Sequence, residues 1–205
     1  MDRSEPAHVP PERPTAPVKS KPSVLFVPGL RWEFTGHWQN VVARSSCGSR
    51  VVMPLESDKL SCRSRVMGLE AALRAIEGPV VIVAHHMGVM VTAHWAQWAE
   101  HRAAQIHAAL LLAPPDLENP HPRHDPPMNA LRSNGWLPIP RRVLPFRAVV
   151  GASTNDPFVR FKRAVGFARD WKAQLMDLGP VASGGGDWIR GEALLGELLS
   201  GGSRR

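Results

Sequence analysis

One stretch constrains this chain more than any other. Residues 79–84 form an apolar, β-type run that passes straight through His85-His86-Met87 into a helix-like stretch beginning at Gly88. A strand that turns at once into a helix needs a tight corner. Small residues two positions either side, here Ala84 and Gly88, let the corner close and push one side chain into solvent. That is the context of a nucleophile elbow. The residue at its tip is His86, not Ser, Cys or Asp.

The rest of the chain alternates. Val24 to Val27, Arg50 to Met53, Pro79 to Ala84, His107 to Leu112, Arg147 to Gly151 and Gln174 to Leu178 read as strands. Several are continuous apolar runs, the pattern of strands buried on both faces of a parallel sheet. Helices are predicted over Gly36 to Ala43, Ser64 to Ile76, Gly88 to Arg102, Val159 to Trp171 and Ile189 to Leu199; the second places Val66, Leu69, Leu73 and Ile76 at helical spacing. Residues 114–145 are Pro-rich and read as irregular. The predicted architecture is an α/β three-layer sandwich on a mostly parallel sheet. Ligands then bind outside the carboxyl ends of the strands, so the loops that count are 28–36, 84–88, 113–145, 152–158 and 179–188.

With 205 residues, 43% hydrophobic and 21% charged, one domain with a sizeable core is expected over residues 23–200. Residues 1–22 hold six prolines and little to bury, so they read as a disordered tail, and 201–205 as a flexible end. No apolar run approaches the roughly 20 residues of a membrane helix, and the tail has no apolar centre of the secretory kind. The net charge is +7, but the basic residues are scattered. Weak attraction to polyanions follows from that, not a specific nucleic-acid site. Cys47 and Cys62 sit among polar neighbours in sequence without metal-type spacing, and a reducing cytoplasm is the simpler reading.

Eight short motifs occur in register: Val24 to Leu30, Gly36-His37-Trp38-Gln39, Val83-Ala84-His85 with Gly88, Ala93-His94-Trp95, Leu112 to Asp116, Leu144-Pro145-Phe146, Ser153 with Asn155-Asp156-Pro157, and Gly186-Asp187-Trp188. Together they resemble the small single-domain serine hydrolases of the α/β-hydrolase class, the retinoblastoma-binding protein 9-like and YdeN-like proteins. The resemblance spans about residues 23–199. It implies the α/β-hydrolase fold and a Ser-His-Asp triad that hydrolyses esters or amides without a cofactor. In such a triad the serine attacks, the histidine takes its proton and the aspartate holds the imidazole.

Carried over by position, the resemblance puts the aspartate at Asp156. The oxyanion donors would be the backbone N–H groups of Leu30 or Arg31 and of Met87. His37 and Trp38 would line the pocket, His37 beside the oxyanion loop. The serine position is His86. The histidine should follow the last strand, yet residues 179–186 contain none and the loop is several residues short. Bulkier Glu33-Phe34-Thr35 replaces the family's small turn before His37.

Two roles are open to His86. It is a nucleophile or base paired with Asp156, or it is a residue that tolerates positive φ at a decayed site. His85 reads as part of the turn's hydrogen bonding, and His94 as packing beside Trp95 and Trp98. His121 and His124 with Asp125 have ligand-like spacing, but the surrounding prolines deny a helix, so no metal site is assigned. Ser153 and Ser183 sit in no elbow, and Gly184 to Gly186 lack the lysine of a phosphate loop. The seven tryptophans are spread between elements, as core or pocket residues are.

The expected function is that of a catalytically impaired member of this class, binding a small-molecule ligand or a protein partner. The alternative is an active hydrolase of small esters, thioesters or lactones through a His86–Asp156 dyad.

Overall fold

The computed structural model describes residues 21–30, 49–52, 60–119, 126–156, 160–180 and 189–200. In order these form β1 (Ser23–Val27), β2 (Arg50–Val51), α1 (Cys62–Arg74), β3 (Val80–His85), α2 (Met87–Ala96), a 3-10 helix (Glu100–Gln105), β4 (Ile106–Leu112), α3 (Met128–Ser133), β5 (Ala148–Ala152), α4 (Phe161–Asp170), β6 (Gln174–Asp177) and α5 (Ile189–Leu199). The strands make one sheet in the order β2-β1-β3-β4-β5-β6, parallel throughout.

That order creates the site. From β1 the chain goes outward to β2, then returns to β3 on the other side of β1. The carboxyl ends of β1 and β3 therefore flank a topological switch point, where such sheets open a crevice. Val27 of β1 is level with Ala84 of β3, so the two following turns leave the sheet side by side.

Alternation along the strands divides the core. Leu25, Val27, Val80, Ile82, Ala84, Ala109, Leu111 and Val150 face one layer, with Leu69 and Leu73 of α1, α2, and Ala164 and Phe167 of α4. Val24, Phe26, Val81, Val83, Leu110 and Leu112 face the other, against Leu194, Leu195 and Leu198 of α5. Each such aliphatic side chain contributes about 1.5 to 3 kcal/mol when fully buried. The three-layer arrangement expected from the sequence is the one observed.

Local chemistry sets the helix starts. Ser61 is extended and caps α1, its Oγ accepting from the Ser64 N–H at 3.3 Å, so this helix begins at Cys62 rather than at Ser64. In α2 every residue but His94 is buried, because the helix lies between the sheet and α1.

Three sequence expectations need correction. The helix from Gly88 stops at Ala96 instead of reaching Arg102, and the 3-10 helix follows. There Arg102 donates to Glu70 at 2.8 Å, and Gln105 donates to the Leu73 and Ile76 carbonyls at 3.0 and 2.8 Å. These long-range bonds override helix propensity. The Pro-rich span is not wholly irregular: Pro127 sets up α3, as proline suits a helix entry. Cys62 is not in polar surroundings but buried, 4% exposed, in the main core cluster. Burial pushes its thiol up to about 12, so it is not a thiolate nucleophile. The helix expected over 36–43, residues 1–20 of the tail, Cys47 and the His121–Asp125 cluster lie outside the described residues. Among the described residues no helix is long and apolar enough to cross a membrane.

Candidate active site

At the end of β3 the backbone of His86 takes φ 50° and ψ −118°. Few residues other than glycine occupy positive φ, so this corner is held by its surroundings. The His86 N–H donates to the Leu112 carbonyl of β4 at 2.9 Å, and Val89 N–H donates back to the His86 carbonyl at 3.0 Å. Gly88 leans on β1 so closely that a β-carbon there would meet the Val27 carbonyl oxygen at 1.9 Å. Behind it, Thr92 Oγ1 donates to the Gly88 carbonyl at 3.0 Å. Two strands and the following helix thus brace the elbow. His86 is half-buried and His85 buried at its side, their rings 6.2 Å apart.

The oxyanion side is partly assembled. Gly29 follows β1, and a β-carbon on it would stand 3.6 Å from His86 Cβ and 3.8 Å from Met87 N. The turn leading to Leu30 therefore lies against the elbow. Met87 is the first residue of α2, and the His86 side chain does not cap the helix. First-turn N–H groups have no acceptor within their own helix and carry the positive end of its dipole, so negative charge is favoured at this point. Arg31, His37 and Trp38 lie outside the described residues. The sequence reading named Leu30 and Met87 but missed Gly29, whose bareness lets the two turns touch.

Asp156 follows β5. It is half-buried with Oδ2 fully buried. Its turn is closed by the Asn155 N–H donating to Ser153 Oγ at 3.3 Å and tied to the segment after β6 by the Thr154 N–H donating to the Gly179 carbonyl at 3.2 Å. Ser153 is thus a brace for this turn. β4 stands between the strands that carry His86 and Asp156. Two strand spacings put those backbones roughly 10 Å apart. Residues 179–188, where such a histidine would be expected, contain none.

On the rim after β4, Asp116 is 3% exposed. Its Oδ1 accepts from the N–H groups of Glu118 and Asn119 at 3.3 and 3.1 Å. Its Oδ2 lies 3.0 Å from Arg163 Nε of α4, an ion pair that is off-line for a hydrogen bond. Burial works against the Arg163 charge, but Glu118 and Asp116 outweigh it and hold the guanidinium more firmly protonated than usual. Arg141 also bonds Glu118 at 2.8 Å, so the network clamps the loop after β4 to α4. Away from the site, His94 lies 3.2 Å from the Trp136 carbonyl and edge-on to that indole, and it lines one hollow with Trp98.

The family described as serine hydrolase matches residues 24–197. Among solved structures, a protein described as a YdeN-like hydrolase from Pectobacterium atrosepticum is 24% identical, with a TM-score of 0.70 over 88% of this chain and 91% of that one. Mouse alpha/beta hydrolase domain-containing protein 10 is 13% identical, with a TM-score of 0.65 over 91% and 92%. The ydeN gene product of B. subtilis is 18% identical, with a TM-score of 0.56 over 77% and 84%. These likenesses show the α/β-hydrolase fold. No curated protein matches the chain.

Proposed function

This chain belongs to the serine hydrolase family, and from that premise we propose that it is a catalytically impaired member that acts by binding a small ligand or a protein. One observation carries this reading. The elbow keeps its strained backbone and its close approach to β1, yet its tip is an imidazole, and the loop that should supply the triad histidine has none. A triad works as one unit, and loss of its nucleophile or its histidine alone costs about 10⁶-fold in kcat in a serine protease. Here both positions have changed.

A second reading rests on the same tip. His86 is half-exposed and stands beside the Met87 amide. As a base held by Asp156, it would take a proton from water. The hydroxide would then attack the carbonyl of a small ester, thioester or lactone, with the oxyanion on the α2 amide; collapse breaks the C–O or C–S bond, and the imidazolium returns its proton to the leaving alcohol or thiol.

Hydrolysis of p-nitrophenyl acetate by the wild-type chain, His86→Ala and Asp156→Ala separates the two. The impaired-enzyme reading expects the same slow rate from all three. A wild-type rate tenfold or more above both variants would replace it with the dyad. The buried free thiol of Cys62 supports placing this protein in a reducing cytoplasm.

A further inference from the structure

A second concavity lies away from the elbow, where the start of α1 meets the end of α2. It is an open hollow of about 440 Å³, a volume within the range of small-molecule sites. Its walls are largely apolar, built from Cys62, Val66, Met67 and Trp98, with Arg63 and His94 among the polar lining. Met67 is 47% and Trp98 46% exposed. They are two of the four large hydrophobic side chains exposed among the described residues, and both face this one hollow.

The charge of the lining is one-sided. Arg63 is exposed and makes no ion pair among the described residues, and no acidic residue lines the pocket. Burial holds the His94 imidazole below its usual value and the Cys62 thiol above, so both are neutral near pH 7. The ten residues of α2 put the pocket roughly 15 Å from the elbow along the helix axis.

We propose that this hollow is a ligand site for a small monocarboxylate with an apolar, aromatic or aliphatic body. The body would lie against Trp98 and Met67, and the carboxylate would pair with Arg63. Neither reading of the elbow chemistry is needed for it.

The test titrates the full chain, carrying ¹³C-methyl methionine, with 4-phenylbutyrate and with its neutral amide. The expected result is saturable shifting of the Met67 methyl by the acid, with the amide about two- to fivefold weaker, as suits one exposed ion pair. Arg63→Gln should bring the acid down to the amide's affinity, and Trp98→Ala should abolish both titrations. Arg63 and Trp98 are exposed, so neither change removes core packing. His86→Ala should leave the acid titration unaltered. The proposal is overturned if the acid does not saturate at millimolar concentration, if acid and amide bind equally, or if Trp98→Ala binds like wild type. Loss of binding in His86→Ala overturns it too, because the ligand would then sit at the elbow.

Discussion

Gly88 and Val27 touch so closely that no β-carbon fits between them: one built on Gly88 would stand 1.9 Å from the Val27 carbonyl oxygen and 2.7 Å from its carbon. Both neighbours are backbone atoms of a central strand, so neither can swing aside. Gly88→Ala must therefore push α2 off β1 or distort the elbow. We expect a loss of about 3 kcal/mol or more in unfolding free energy, read as a shifted denaturant midpoint or a collapse in soluble yield. A stability within roughly 0.5 kcal/mol of wild type, the effect of a neutral surface change, would show that the contact is slack.

Glu70 joins α1 to α2 and to the 3-10 helix. It is 2% exposed and accepts from Trp95 Nε1 at 2.9 Å, Arg74 Nε at 2.8 Å and Arg102 Nε at 2.8 Å. Burial alone would raise its carboxyl, but the three donors and the Arg102 charge together hold it below the ordinary 4.5. A folded-state value below the unfolded one stabilises fully above the unfolded value and is lost as pH falls toward the folded one. Acid destabilisation from Glu70 should therefore set in below about pH 5. Glu70→Gln should cost about 2 to 3 kcal/mol at pH 7. Urea melts at pH 7 and pH 4 should show a smaller gap between variant and wild type at the lower pH.

Much of the fold is readable in the sequence. Buried parallel strands are written as unbroken apolar runs, and α5 has the bounds its pattern predicts, Ile189–Leu199. The misses have long-range causes. The end of α2 is decided by Arg102 and Gln105 reaching α1, about thirty residues away. Cys62 follows Ser61 and precedes Arg63 and Ser64, so its neighbours suggest water. Helical spacing instead puts it on the same side as Val66, Leu69 and Leu73. At the site, the identity of the elbow residue was legible because the strand–turn–helix pattern is local. The spacing of the His86 and Asp156 backbones was not, since it depends on β4 lying between their strands.

His94 should make a separate contribution to pH sensitivity. Burial lowers its imidazole from the ordinary 6.5, while the bond to the Trp136 carbonyl works weakly the other way. The neutral ring fits the fold, its N–H donating across 3.2 Å to that carbonyl. The unfolded chain takes up the proton first as pH falls, so this part of the stability is complete above about pH 6.5 and declines below it. Thermal melts from pH 8 to 5 should show a decline already under way before the carboxylates titrate. His94→Asn should flatten that upper limb and leave the lower one, set by Glu70, in place.

Putting a serine back at the elbow should not restore a serine hydrolase. The backbone of His86→Ser would already be that of an elbow, and the Met87 amide would stand beside the hydroxyl. The serine would still lack a base: residues 179–188 hold no histidine, and Asp156 lies about two strand spacings away. An unassisted hydroxyl is a weak nucleophile at neutral pH. We expect His86→Ser to hydrolyse p-nitrophenyl acetate within about twofold of His86→Ala and to resist labelling by a fluorophosphonate probe. Rapid, stoichiometric labelling of the introduced serine would mean that another group already supplies the missing base. His85, buried beside the tip with its ring 6.2 Å from that of His86, would be the first to replace with alanine in that background.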